Sequence, residues 1–118
     1  MKNNIGFIGC GNMAKAMIGG LVKGELFLPE NILCFDPSDV ARAQVGEEYG
    51  VNIQDSNVAV ATQADYLVLA VKPFLYGKVL EEIAGSIKPS VIIVSIAVGV
   101  GFEDIKEFLG RDVKVIRT

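Results

Sequence analysis

The chain has 118 residues and a net charge of −3 without basic clusters, so we expect one domain with no nucleic-acid or membrane partner. Half of its residues are hydrophobic, yet no apolar run is long enough to cross a bilayer. Histidine, the commonest metal ligand and general base, is absent, which disfavours a metal site, metal-assisted hydrolysis and a Ser-His triad. Cys10 and Cys34 are isolated, as is typical of a reduced cytoplasmic protein rather than a disulfide scaffold.

Apolar periodicity and turn signals predict alternating strands and helices along the whole chain. The predicted strands are Asn4–Ile8, Asn31–Phe35, Val51–Ile53, Tyr66–Val71, Val91–Ile96 and Val113–Ile116. The predicted helices run from the first glycine turn to Lys23, from Ser38 or Asp39 to about Tyr49, over a short stretch from Asp55-Ser56-Asn57, from about Leu75 to Gly85, and from Phe102 to Leu109. This alternation indicates an α/β fold, with a parallel sheet that is covered by helices on both faces.

The turn after the first predicted strand, Gly9-Cys10-Gly11-Asn12-Met13-Ala14, has the spacing G-x-G-x-x-A. In a strand–turn–helix unit, Gly9 permits the tight turn, Gly11 lets the backbone approach a pyrophosphate, and Ala14 lets the helix pack closely. The helix N-terminus then offers backbone N–H groups to phosphates. We therefore predict a doubly wound, Rossmann-type NAD(P)-binding domain; the alternative is a glycine-rich turn that binds nothing.

The carboxyl ends of parallel strands share one edge of the sheet, and ligands bind there. The residues that this topology predicts at that edge are Gly9–Ala14, Asp36-Pro37, Lys72-Pro73, Ser95-Ile96-Ala97 and Arg117-Thr118.

The acidic residue Asp36 lies 22 positions beyond Ala14, where a carboxylate typically binds the adenosine ribose hydroxyls and repels a 2′-phosphate. Alternatively, Asp36-Pro37 only initiates a turn. Arg42 is a candidate for a 2′-phosphate or a solvated helix residue. Asn57 is a candidate for contact with the adenosine side or a residue that stabilises its turn.

Lys72 follows a buried strand and precedes Pro73, so it is a candidate for pairing with a cofactor phosphate or orienting the nicotinamide. The alternative is a lysine whose stem covers the strand end. Ser95-Ile96-Ala97 either lines the nicotinamide pocket or only packs closely. The pairs Glu47-Glu48 and Glu81-Glu82 are interpreted as solvated helix surfaces rather than a catalytic dyad.

The stretches Ile8–Ala14, Leu69-Ala70-Val71-Lys72-Pro73 and Val94–Val100 together resemble pyrroline-5-carboxylate reductases, along the whole chain. The resemblance implies reduction of 1-pyrroline-5-carboxylate to L-proline with NADPH or NADH, in proline biosynthesis. It implies these cofactor-binding residues: Ile8, Gly9, Cys10, Gly11, Asn12, Met13, Ala14, Asp36, Pro37, Asn57, Ala70, Val71, Lys72, Pro73, Ser95, Ile96 and Ala97. No residue is identified as catalytic, although Lys72 is a candidate orienting residue.

In that family a C-terminal helical domain binds the substrate and forms the dimer. The resemblance therefore implies that residues 1–118 are the cofactor domain, which on its own binds cofactor without turnover, and that the full-length protein is a homo-oligomer. Family members often carry a small polar residue or Asn where this chain has Asp36, so the choice between NADPH and NADH stays open; the carboxylate leads us to expect NADH to be used at least comparably. The alternatives are a 3-hydroxyacid or 6-phosphogluconate-type dehydrogenase and a non-catalytic nucleotide-sensing module.

Overall fold

The fold is built on one six-stranded parallel sheet, seen in a computed structural model that describes residues 3–96, 105–106, 109 and 114–117. The strands are β1 (Ile5–Ile8), β2 (Ile32–Phe35), β3 (Asn52–Ile53), β4 (Tyr66–Leu69), β5 (Ile92–Ser95) and β6 (Lys114–Arg117). Their order across the sheet is β3-β2-β1-β4-β5-β6, and every neighbouring pair is parallel. This order is the doubly wound one, in which two halves diverge from β1 and β4. The predicted fold class is confirmed.

Between β1 and β5, where every residue is described, four helices connect the strands: α1 (Asn12–Lys23), α2 (Asp39–Tyr49), α3 (Asn57–Gln63) and α4 (Tyr76–Ile83). Serine side chains cap two of them, because Ser38 Oγ accepts from the N–H of Ala41 and Ser56 Oγ accepts from the N–H of Ala59. Gly50 follows the last residue of α2 and caps it, and its positive φ of 67° suits glycine at a helix terminus. Short 3-10 turns, Pro29–Asn31 and Pro73–Leu75, precede β2 and α4.

Side chains that alternate along the strands form two apolar cores, one on each face of the sheet. On one face, Ile8 and Leu69 pack with residues of α3 and α4. On the other, Phe7 and Val68 pack with Ala14 and Ile18 of α1 and with α2. Because both faces are covered, all four residues of β1 are buried and the strand reads as a continuous apolar run.

The sequence predictions differ from the structure mainly at element ends. Strand β4 stops at Leu69 rather than Val71, and α4 is shorter than predicted because Pro73 opens a 3-10 turn before it. Ile105, Lys106 and Leu109 have helical backbone, while the rest of the predicted 102–109 helix and the loop at 97–101 lie outside the described residues. In the described ranges, the helices are too short or too polar to cross a membrane.

The turn after β1 provides a stability test at Gly9, whose φ is 105° and whose added Cβ would lie 2.7 Å from the carbonyl oxygen of Ala70. We expect Gly9→Ala to lower the free energy of unfolding by about 2 kcal/mol or more, from backbone strain and the clash. The matched change Gly20→Ala, on α1 in open space, is expected to raise it by about 0.5–1 kcal/mol. Urea unfolding of both variants measures the difference. A Gly9→Ala variant as stable as the wild type would contradict this tight packing.

Candidate functional site

The glycine turn is held between the carboxyl ends of β2 and β4. The N–H of Gly9 donates to the carbonyl oxygen of Phe35 at 2.8 Å, and the N–H of Ala70 donates to that of Ile8 at 2.9 Å. These bonds extend the sheet by one residue past the strand ends. Since a Cβ at Gly9 would overlap the carbonyl group of Ala70, only glycine fits at this position.

The carboxylate of Asp36 fastens the same turn from the β2 side. Its Oδ2 accepts from the N–H of Cys10 at 2.9 Å, and its Oδ1 accepts from the N–H of Ser38 at 2.9 Å. Hydrogen bonds to a charged acceptor are among the stronger ones in proteins. Asp36 therefore joins the glycine turn to the start of α2, and a carboxylate oxygen has further lone pairs with which to accept from a ligand.

Arg42 closes the corner between β2 and α2. Its Nη1 donates to the carbonyl oxygen of Asp36 at 2.7 Å, and its Nη2 is paired with the carboxylate of Asp39. The guanidinium carbon lies 5.5 Å from the centroid of the Phe35 ring. The Arg42 guanidinium is thus not simply solvated. Both of its terminal nitrogens already contact acceptors within the protein.

A cleft of about 640 Å³ opens at this edge of the sheet, and a volume of this size is typical of small-molecule sites. Eight of the predicted cofactor residues line it: Gly9, Gly11, Asp36, Pro37, Asn57, Ala70, Val71 and Lys72. They come from four chain segments that the parallel sheet brings to one edge.

Other predicted residues lie around the cleft without lining it. Ile8, Cys10 and Ala14 are buried beneath the turn, whereas Asn12 and Met13 are exposed at the start of α1. Pro73 is exposed in its 3-10 turn, Ile96 is half-buried after β5, and Ser95 is fully buried with its Oγ 3.3 Å from the Tyr76 hydroxyl. Ala97 lies outside the described residues.

Five cleft residues were missed from the sequence: Phe35, Leu75, Lys78, Val79 and Glu82. Lys78 and Glu82 are four positions apart, so they share one face of α4, and that spacing was the signal available for them. Glu82 is not only a solvated surface residue, because its Oε1 accepts a hydrogen bond from Asn57 Nδ2, 3.0 Å away, at the wall of the cleft.

The two cysteines are free and buried beside the glycine turn. The hydrogen bond with Cys34, together with burial, raises the pKa of the Cys10 thiol, so this thiol stays protonated and neutral at physiological pH. Cys10 therefore takes part through its backbone N–H rather than as a nucleophile. Over the described ranges, His, Cys, Asp and Glu form no group of three able to hold a metal ion.

The family comparison matches residues 4–99 of the chain to the family described as NADP oxidoreductase coenzyme F420-dependent. The chain belongs to this oxidoreductase family. It is 43% identical over 117 residues to the pyrroline-5-carboxylate reductase of Escherichia coli, covering 99% of this chain and 44% of that protein. It is 36% identical over 113 residues to the Pseudomonas aeruginosa enzyme, covering 96% of this chain and 41% of that protein. The resemblance stated from the sequence is confirmed, over less than half of these relatives' length.

Solved structures of several similar proteins have the same fold. The Coxiella burnetii pyrroline-5-carboxylate reductase matches with a TM-score of 0.93 and 33% identity, over 99% of this chain and 43% of that one. The Plasmodium falciparum enzyme with NADP bound matches with a TM-score of 0.84 and 28% identity, over 98% and 41%. A Mycobacterium tuberculosis 3-hydroxyisobutyrate dehydrogenase matches over 99% and 40%, with a TM-score of 0.82, but at 17% identity this likeness shows the fold alone.

The fastening of the turn by Asp36 is open to a direct test. Asp36→Ala removes the acceptor of the Cys10 N–H, so we expect this amide to exchange with solvent roughly tenfold faster or more. The control is Asp39→Ala, which removes an exposed carboxylate from the same corner without touching the turn. Hydrogen exchange followed by NMR measures both. Unchanged protection of Cys10 in Asp36→Ala would show that the bond does not hold the turn.

Proposed function

We propose that the chain binds NAD(P)H in the cleft beside the glycine turn, as the cofactor domain of a reductase that converts 1-pyrroline-5-carboxylate to L-proline. One observation carries the proposal. The glycine turn is held between β2 and β4, directly under the open N-terminus of α1, and this is the arrangement that receives a dinucleotide pyrophosphate.

The geometry of the turn supports a phosphate there. No side chain caps α1, and the first N–H groups of a helix have no acceptor within the helix. A Cβ built on Gly11 meets no atom within 4 Å, so the space above the turn is open. Phosphate oxygens fit this space, because the N–H groups and the helix dipole both favour a negative charge.

The two halves of a dinucleotide would lie on either side of this point. On the β2 side, Asp36 and Asn57 line the cleft, and the carboxylate of Asp36 suits the hydroxyls of an adenosine ribose. On the β4 side, Val71 and Lys72 line it, and the exposed ammonium of Lys72 suits a phosphate or an orienting contact with the nicotinamide half. Ile8, Cys10 and Ala14, which the family resemblance also implies, are buried beneath the turn and support this binding surface through packing.

The cofactor supplies the chemistry when it is bound, since reduction of a cyclic imine requires transfer of a hydride from NAD(P)H. The residues of this chain bind and orient that cofactor, and we assign no catalytic residue among them. Lys72 is proposed as an orienting residue. The second requirement of the reaction, a proton for the ring nitrogen, is assigned to no residue of the described cleft.

The relatives support the reaction and the cofactor class. The E. coli and P. aeruginosa relatives are pyrroline-5-carboxylate reductases, and the P. falciparum structure contains NADP. The chain spans 44% of the E. coli protein. We therefore propose the substrate, the role in proline biosynthesis and the homo-oligomeric assembly for the whole enzyme rather than for residues 1–118 alone. The free thiols of Cys10 and Cys34 support a reducing compartment such as the cytoplasm.

Substitution of Gly11 tests the proposed pyrophosphate site. Its φ of −74° and ψ of −170° suit any residue, and its Cβ direction is open, so Gly11→Val is expected to fold normally. The valine side chain fills the phosphate space, and we expect dissociation constants for NADH and NADPH to rise by more than about tenfold, or about 1.4 kcal/mol.

Calorimetric titration with both dinucleotides measures this loss. The matched control is Gly20→Val, which places the same side chain in equally open space further along α1. A folded Gly11→Val variant with undiminished affinity would contradict a pyrophosphate at this turn, as would an equal loss in Gly20→Val.

A further inference from the structure

The cleft contains one polar contact that nothing in the proposed reaction explains. Asn57 begins α3, which packs on β1 and β2, so this residue lies on the adenosine side of the sheet. Glu82 lies on α4 and reaches the same cleft. The hydrogen bond between them, from Asn57 Nδ2 to Glu82 Oε1 at 3.0 Å, joins the two helices at the cleft wall.

The chemistry of the pair fixes the orientation of the amide. An ionised carboxylate only accepts hydrogen bonds, so the Asn57 group that faces Glu82 must be its NH2. The other end, Asn57 Oδ1, is buried and has no hydrogen-bond partner. Glu82 is therefore the residue that holds this amide in place, and it occupies one of the two N–H donors that Asn57 could offer to an anionic ligand.

This orientation matters for the one difference between the two cofactors. NADPH carries a 2′-phosphate where NADH carries a hydroxyl, and a phosphate requires donors and positive charge. Two carboxylates, Asp36 and Glu82, border the cleft, and Glu82 also holds the Asn57 amide. Both terminal nitrogens of Arg42 already contact Asp36 and Asp39. Lys78 also lines the cleft, but Glu82 lies four positions further along the same face of α4 and offsets its charge, so the adenosine side offers a 2′-phosphate little uncompensated positive charge.

We propose that Glu82 is a specificity-determining residue, which disfavours NADPH relative to NADH through its negative charge and its hold on the Asn57 amide. This inference rests on the proposed dinucleotide site. It assigns part of the cofactor choice to α4, well away in sequence from the Asp36 corner where the choice is usually sought.

The test compares dissociation constants for NADH and NADPH, by calorimetric titration at one ionic strength, in three variants and the wild type. Glu82→Gln removes the charge but keeps an acceptor for Asn57, and Glu82→Ala removes both. The control Glu81→Gln makes the same change in net charge at a neighbouring exposed position that does not line the cleft. We expect Glu82→Gln to shift the NADPH-to-NADH preference toward NADPH by about tenfold.

We expect Glu82→Ala to shift the preference further. We expect Glu81→Gln to leave it within about twofold of the wild type, because Glu81 does not line the cleft and a charge further from the bound phosphate is screened more strongly. An unchanged preference in Glu82→Gln, or an equal shift in Glu81→Gln, would overturn the inference. A smaller shift in Glu82→Ala than in Glu82→Gln would contradict the role of the Asn57 amide. Failure of the wild type to bind either dinucleotide would instead overturn the proposed function on which the inference rests.

Discussion

The close approach of Gly9 to the carbonyl group of Ala70 is the contact on which the rest of the site depends. A side chain at Gly9 would lie 2.7 Å from that oxygen, so only glycine lets the chain turn between β2 and β4. The turn places the start of α1 at the edge of the sheet where Asp36 and Lys72 also lie. Backbone geometry at one residue thus positions the uncapped N-terminus of α1 beside a cleft.

Asp36 links this backbone geometry to ligand recognition. Its two carboxylate oxygens bond to the N–H groups of Cys10 and Ser38, so a residue usually considered for ribose recognition also holds the glycine turn in place. Substitutions at Asp36 are therefore expected to change both the turn and the proposed ribose contact. The hydrogen bond of Glu82 goes to Asn57 of α3 rather than to the glycine turn, which makes Glu82 the better position at which to separate cofactor preference from stability.

The sequence predicted the doubly wound strand order and the positions of the turns after β2 and β4, because local patterns mark the strands and the glycine turn. Apolar runs marked the strands, and the G-x-G-x-x-A spacing marked the turn. Glu82 was missed because its role arises only when α3 and α4 pack together, and a helix-surface pair such as Glu81-Glu82 has no local signal that distinguishes its members. The predicted end of β4 lay two residues too far along the chain, because Ala70 and Val71 are apolar, like strand residues, yet line the cleft.

The most direct test of a dinucleotide in this cleft is an NMR titration of the chain with NADH, followed at assigned backbone amides. We expect saturable shifts at the cleft, strongest around Gly11, Asp36 and Lys72. The amides of Asn4 and Asp65, which pair at the opposite edge of the sheet, should stay unchanged. Absence of saturable shifts, or larger shifts at Asn4 and Asp65 than at the glycine turn, would contradict a dinucleotide site at the carboxyl edge.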